Sequence, residues 1–210
     1  MKKPLLIEIG VEELPAIPFL KELPNIANKW QTILDENNLS CDFEFYYTPR
    51  RLVFWHREFP LKQADTTLEL FGAPLEIAYK DGEPTGAALG FAKKCGVDIS
   101  QISTSEKNGK EVLYFQKQEK GFESRTLLAI MIETLLEKLV FGKSMRWGNQ
   151  KKSFIRPIRW IGCMLDSKVV DVSLFGLQSS NESYGHRTLS YGAFTYTDAG
   201  DYFVNLIKQV

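Results

Sequence analysis

Asp42-Phe-Glu-Phe-Tyr-Tyr-Thr-Pro-Arg-Arg-Leu-Val-Phe-Trp-His-Arg-Glu-Phe59 is the stretch that decides the fold class. Residues 42–47 alternate polar and aromatic side chains, and residues 51–59 alternate again through Leu52, Phe54 and His56. A period of two places successive side chains on opposite faces of a strand, so both runs read as strands. The Thr48-Pro49 break between them is short, so the two runs pair as a hairpin-like, antiparallel unit. A doubly wound parallel sheet would part its strands with long crossovers.

Other elements follow outward from this hairpin. Residues 4–10 form a short strand ended by Gly10. Residues 16–38 carry a helical spacing through Phe19, Leu23, Ile26, Trp30, Ile33 and Leu34. Pro18 and Pro24 argue against one unbroken helix and place its strong part from Pro24. Leu68 and Leu70, then Ile77 and Tyr79, suggest two further strands, and Val112–Lys117 another. Thr85 caps a helix over Gly86–Lys94 that Gly96 closes. The clearest helix covers 124–140, with Ser124 as its cap. Residues 158–165, 168–175 and 193–197 read as strands, and 198 caps a last helix. The expected class is α+β: short, mostly antiparallel strands in mixed sheets with interspersed helices. The domain expectation is one region over 1–210, or two subdomains at about 1–65 and 66–210. The sequence stops within an apolar, periodic helix near 199–210, which suggests the leading portion of a longer chain.

The composition excludes several classes. Of 210 residues, 44% are hydrophobic and 12% aromatic, ample for a core. Twenty-six basic and 26 acidic residues cancel, which excludes a uniformly basic surface but not a local basic stripe. No apolar run approaches the roughly 20 residues that cross a bilayer, so no membrane partner is expected. Glu8 interrupts the first apolar run too early for a signal peptide. Cys41, Cys95 and Cys163 are odd in number and widely spaced, which argues for free thiols and a cytoplasmic location. No Cys-x-x-Cys occurs, and only two histidines are present, so no metal site is expected.

Phe141-Gly-Lys-Ser144 imitates the end of a P-loop, but Glu137 stands where the first glycine belongs and the tetrapeptide follows a helix. Dinucleotide, nucleophile-elbow and zincin motifs are missing as well. The informative feature is a charge run. From Lys138 to Leu165 stand Lys138, Lys143, Arg146, Lys151, Lys152, Arg156 and Arg159, without one acid. Trp147, Phe154 and Trp160 interleave with them. Cations neutralise phosphates, and aromatic or guanidinium planes stack on unpaired bases. Arg50-Arg51 and His186-Arg187 are further clusters. The competing reading is a solvated face, or arginines paired internally with acids and rings. Glu8, Glu12 and Glu13 near Gly10 are carboxylates suited to acid–base work, though caps and dipole partners are the commoner use. His186 reads as a turn histidine and His56 as a strand-face residue.

Seven blocks, in order, carry a family resemblance. They are Leu5-Leu-Ile-Glu-Ile-Gly-Val-Glu-Glu-Leu-Pro15, Thr48-Pro-Arg-Arg-Leu52, Gly72-Ala-Pro74, Gly90-Phe-Ala-Lys-Lys-Cys-Gly96, Met145-Arg-Trp-Gly148, Phe154-Ile-Arg-Pro-Ile-Arg-Trp160 and Gly185-His-Arg187. The chain resembles the N-terminal portion of the beta subunit of bacterial heterotetrameric glycyl-tRNA synthetases. The resemblance implies a part in ATP-dependent attachment of glycine to tRNA(Gly). It implies an alpha-subunit partner that holds ATP, Mg²⁺ and the aminoacylation chemistry. It also implies that the remainder of the beta chain carries an HD-like and an anticodon-binding domain. This region would then bind no cofactor and catalyse nothing itself. Its tRNA- or partner-binding candidates are Arg50, Arg51, Lys143, Arg146, Trp147, Lys151, Lys152, Arg156, Arg159, His186 and Arg187. Two rivals stay open: a scaffold whose arginines are buried and paired, with Arg156 or Arg159 among them, and an editing-type hydrolase drawing on Glu8, Glu12, Cys163 or His186. The burial of the arginines discriminates between binding and scaffold.

Overall fold

The computed structural model describes residues 1–190 and 192–209. In chain order the elements are β1 (Lys2–Val11), α1 (Ala16–Glu36), β2 (Glu44–Thr48) and β3 (Arg51–Pro60). Then come β4 (Thr66–Pro74), α2 (Leu75–Ala78), β5 (Tyr79–Lys80), β6 (Glu83–Pro84), α3 (Gly86–Cys95), β7 (Ser103–Lys107) and β8 (Lys110–Glu119). The chain continues through α4 (Ser124–Lys138), β9 (Ile158–Leu165), β10 (Lys168–Val169), β11 (Ser173–Leu174), β12 (Leu177–Gln178), β13 (Glu182–Tyr184), β14 (Ala193–Thr195) and α5 (Tyr202–Ile207). The class is α+β, with antiparallel strands in several small sheets.

Two units result: Met1–Gln63 with Phe122–Val210, and Ala64–Gly121. This division differs from a single cut near residue 65. The second unit is an insertion, because β1 pairs with β3 on one side and with β9 on the other. That distant pairing draws the chain after residue 121 back into the first unit.

The larger unit is organised by an antiparallel sheet of order β10-β9-β1-β3-β2. Its hairpin closes at Thr48 opposite Arg51, as the alternation predicts. The central strand β1 is buried on both faces, and its period of two sorts the core. Leu5, Ile7, Ile9 and Val11 pack with Ile26, Trp30 and Ile33 of α1 and with Leu128, Met131 and Leu135 of α4. Leu6 joins Val53, Met164, Phe194, Tyr196 and Tyr202 on the opposite face. Glu8 and Gly10 follow Leu6 in the alternation, so the unusual residues of β1 fall on the face covered by the C-terminal segment.

Four local expectations are corrected. α1 runs unbroken through Pro24. An interior proline costs about 3 kcal/mol in a free helix, and burial of Phe19, Ile26, Trp30, Ile33 and Leu34 outweighs it. Ser124 does not cap α4; its hydroxyl donates to the Pro60 carbonyl, tying the helix start to the end of β3. Ile77 lies in the helical turn α2, not in a strand. The run 168–175 breaks after Val169 into the short strands β10 and β11.

The inserted unit has a sheet of order β4-β8-β7 and its own core of Ala78, Ala88, Phe91, Cys95 and Leu113. A Cβ at Gly72 would lie 2.8 Å from the Phe91 ring, so glycine is what lets α3 settle on β4. Gly96 closes α3 at φ 74°, as read from the sequence.

His56 is fully buried in the larger unit. Trp30 Nε1 donates to its Nε2 at 3.0 Å, so the proton sits on Nδ1, 3.3 Å from Cys41 Sγ. Burial pushes the imidazole down from 6.5 to about 4 and the Cys41 thiol up to about 11, so the pair is a neutral packing contact, not a nucleophile with its base. Between pH 6.5 and 4 the unfolded chain takes up this proton more readily than the folded one. The His56 share of stability is therefore complete above about pH 6.5 and is lost as pH falls toward 4, by about 3 kcal/mol in full. Urea midpoints recorded across that range should fall, and the fall should shrink in His56→Gln, whose amide still accepts from Trp30.

Candidate functional site

Three cross-strand rows stand on the C-terminal face of the main sheet. Leu6 lies between Trp55 and Met164, Glu8 between Val53 and Gly162, and Gly10 between Arg51 and Trp160. The last two rows build the site. Gly10 has no side chain, and a Cβ there would come within 1.9 Å of the Trp160 ring. The indole therefore lies across β1 and meets the Arg51 guanidinium, 5.6 Å from the ring centroid. Gly162 leaves space for the Tyr196 hydroxyl in the same way; a Cβ there would be 2.6 Å from it.

Glu8 is fully buried. Its Oε1 accepts from Arg51 Nη1, Ser183 Oγ and Tyr202 Oη, each at 2.9 Å. Burial pushes the carboxyl up, and the Arg51 charge with the two hydroxyls opposes that rise. Arg51 Nη2 also donates to the Tyr184 carbonyl. One ion pair thus joins β1, β3, β13 and α5. It corrects two expectations: Glu8 is neither a cap nor a dipole partner, and Arg51 belongs to the interior, not to the surface candidates. The signal for Glu8 was present in Leu5-Leu-Ile-Glu-Ile9, a single acid inside a continuous apolar strand. Ser183 and Tyr202 carried no comparable signal.

Above this network the chain turns are held by main-chain bonds. Val11 N–H donates to the Arg50 carbonyl at 2.8 Å, Leu14 N–H to Pro49 at 2.7 Å and Glu12 N–H to Pro157 at 2.9 Å. These bonds gather the turn after β1, the Thr48-Pro-Arg turn and the Arg156-Pro turn at one end of the sheet. Tyr184 packs on Trp160 at 4.9 Å between ring centroids and delivers Gly185-His-Arg187 to the same place. Arg50, Arg156, Arg159 and Arg187 line one cleft of about 480 Å³ with Glu12 and Glu13. Arg156, Arg159 and Arg187 are exposed and Arg50 is half-buried, 6.0 Å from the Trp160 centroid. The only ion pair within this group, among the described residues, is the open Arg159–Glu12 contact at 3.6 Å. The suspicion that Arg156 or Arg159 is structural finds no support, since both side chains are exposed, Arg156 in the turn before β9 and Arg159 on β9 itself. His186 is exposed nearby, but its Nδ1 accepts from the Thr188 N–H at 3.3 Å, the role of a turn histidine.

The other candidates lie elsewhere. Lys143, Lys151 and Lys152 rim a second cleft of about 470 Å³ whose walls include Leu139, Phe141, Phe154 and Phe175. Lys152 is paired with Glu137 at 2.6 Å and with Glu133, both on α4. Lys138 is paired with Glu36 at 3.2 Å. The acid-free run is thus partly neutralised in space. Trp147 is half-buried and stacks on Phe175 at 5.1 Å, so it packs more than it presents. Arg146 is exposed and lines neither cleft. Cys163 is buried on the helix-facing side, opposite Glu8, and burial pushes its thiol up to about 12. The residues named for a hydrolase are therefore not brought together. Among the described residues, no group of three or more His, Cys, Asp or Glu could hold a metal ion. No described helix is long and apolar enough to cross a membrane.

Comparison with known proteins agrees with the ordered blocks. The family described as glycyl-tRNA synthetase beta subunit matches residues 5–210. The glycine–tRNA ligase beta subunit of Desulforudis audaxviator is 39% identical over 208 residues, covering 98% of this chain and 30% of the relative. That of Moorella thermoacetica is 38% identical over 208 residues, covering 97% and 30%. That of Helicobacter pylori is 36% identical over 214 residues, covering 98% and 30%. The chain spans about 30% of the length of these relatives. It belongs to the glycyl-tRNA synthetase beta-subunit family.

The two kinds of arginine separate by stability. Removing one partner of a buried pair costs about 3–5 kcal/mol, so Glu8→Gln and Arg51→Ala should lower the urea midpoint strongly. Arg156→Ala and Arg159→Ala, at exposed positions, should leave it nearly unchanged. A large loss in either surface variant would return that arginine to the scaffold.

Proposed function

We propose that this chain is the N-terminal region of a glycine–tRNA ligase beta subunit and that it holds the tRNA by its phosphates. In this reading the alpha subunit activates glycine with ATP and Mg²⁺, and the region described here supplies contacts without chemistry. One observation carries the proposal. Arg50 and Arg187 from two separate turns, Arg156 from the turn before β9 and Arg159 from β9 itself share one cleft, and three of the four are exposed. An exposed guanidinium is fully solvated and gives the fold little, but it matches a phosphate with two parallel donors. The wider set of basic side chains does not share this face, so the binding role is assigned to these four and not to the whole run.

The second cleft supports a different contact. Its floor carries Phe141, Phe154 and Phe175, and Lys143 and Lys151 are exposed at its rim. An apolar floor with a basic rim suits an acidic, partly apolar protein segment, and we assign it to the alpha subunit.

Phosphate contacts release counterions, so the affinity of the full-length subunit for tRNA(Gly) should fall steeply with salt. Each phosphate contact contributes roughly 0.7–0.9 to the slope of log K against log salt. Arg156→Ala combined with Arg187→Ala should therefore flatten that slope by about 1.5. An unchanged slope and affinity in the double variant would sink the tRNA reading of this cleft.

A further inference from the structure

The arginine cleft does not stand alone. Two neighbouring hollows share walls with it, one through Arg50 and Arg187 and the other through Arg156, and Glu13 lines all three. One of them, of about 480 Å³, has Arg156 at its edge and is otherwise walled by Leu14, Pro15, Phe19, Leu20, Tyr47 and Pro49. Tyr47 is 47% exposed and Leu20 58%, while Phe19 is buried beneath them and meets the Tyr47 ring edge-on at 5.3 Å. The result is an exposed apolar shelf, its Tyr47 ring held by Phe19 and by stacking on Phe45 at 6.0 Å, beside a group of guanidiniums with fewer carboxylates than charges to match. An apolar shelf in water is costly to leave open, and a purely phosphate-binding surface has no use for one.

We propose that this groove takes an unpaired nucleotide of the RNA, its phosphate on Arg50, Arg156 and Arg187 and its base on the shelf formed by Tyr47 and Leu20. The inference rests on the tRNA reading above and narrows it from phosphate contact to single-strand recognition. The ligand must be anionic at one end and apolar at the other, with Arg156, which lines both hollows, at the join. A nucleotide has both parts side by side, and aromatic side chains and guanidinium planes are the usual platforms for unpaired bases. A duplex keeps its bases stacked inside and cannot lower one onto the shelf. Glu13 at the seam repels a second carboxylate, which disfavours an acidic peptide. The same oxygens can accept hydrogen bonds from the exocyclic amine of a base.

The test uses the full-length subunit, a labelled RNA single strand of about eight nucleotides, and the same sequence annealed to its complement. Tyr47→Ala should weaken single-strand binding about tenfold, the size of one lost base stack, and leave duplex binding as it was. Leu20→Glu, at an exposed position that does not threaten folding, should give a comparable loss by charging the shelf. Ultraviolet cross-linking of the single strand, followed by peptide mapping, should place an adduct on the peptide carrying Tyr47. Full single-strand affinity in both variants, or cross-links confined to other regions, overturns the inference while leaving the arginines as phosphate contacts. Protection of Tyr47 and Leu20 by the alpha subunit, with no RNA adduct there, would also overturn it and make the shelf a protein contact. Failure of the tRNA reading itself shows differently, as an unchanged salt slope in the Arg156→Ala, Arg187→Ala double variant.

Discussion

A carboxylate in the middle of a buried strand sets the terms for the larger unit. Glu8 lies in β1, the central strand of the sheet, with apolar neighbours on both sides. Ionised and alone, it would be pushed to take a proton or to unfold the strand around it. Arg51 supplies the charge, and Ser183 and Tyr202 supply donors from positions 175 and 194 residues away. The C-terminal segment is thus fastened to the first strand by a polar requirement, in addition to the apolar contact of Leu6 with Tyr196 and Tyr202. Such pairs add little net stability when compared with apolar packing, but leaving one partner unmatched is severe. Their effect is to fix which segments meet, and here they fix the register of four.

Two glycines make that meeting sterically feasible. Gly10 lets the Trp160 indole cross β1, and Gly162 admits the Tyr196 hydroxyl beside Glu8. Four of the seven blocks that carry the family resemblance therefore meet in one assembly, whereas Met145–Gly148 packs apart from it through Trp147 and Phe175. Gly10, Arg50, Arg51 and the Tyr184 ring that leads to Gly185 all meet around the Trp160 indole. The blocks at 72–74 and 90–96 lie in the inserted unit, where Gly72 and Phe91 pack against each other.

Local signals were legible where local physics decides. The 42–59 hairpin followed from alternation and a Thr-Pro break, and the end of α3 followed from Gly96, whereas the Thr85 hydroxyl donates to the Ile77 and Ala78 carbonyls and does not cap the helix. Pro24 misled because propensity is a small term beside the burial of a whole helix face. The insertion of residues 64–121 was not legible, since the pairing of β1 with β9 leaves no trace in the composition of either strand. The charge run was visible, but its meaning was divided by the fold. Lys138 and Lys152 point at acids of α1 and α4, whereas Arg156 and Arg159 flank Pro157, whose carbonyl is bonded to the residue after β1. Whether a cation in sequence is free in space depends on partners from 15 to 102 residues away, which a linear count of charge cannot register.

Arg50 and Arg51 show how closely interior and surface are coupled. They are adjacent, chemically identical, and both within reach of the Trp160 ring, at 6.0 and 5.6 Å. Arg51 starts β3 and turns inward to Glu8, so its charge is spent on the fold. Arg50 remains in the turn with no ion-pair partner among the described residues, and its guanidinium stays available at the cleft. The ring between them passes the constraint outward: Glu8 holds Arg51, Arg51 and Gly10 hold the indole, and the indole stands beside Arg50 and the Tyr184 strand that leads to Arg187. The geometry of the cleft is thus inherited from the buried pair, not set by the solvated side chains themselves. The fold fixes the backbone positions from which these arginines project, while the exposed side chains of Arg156, Arg159 and Arg187 remain solvated.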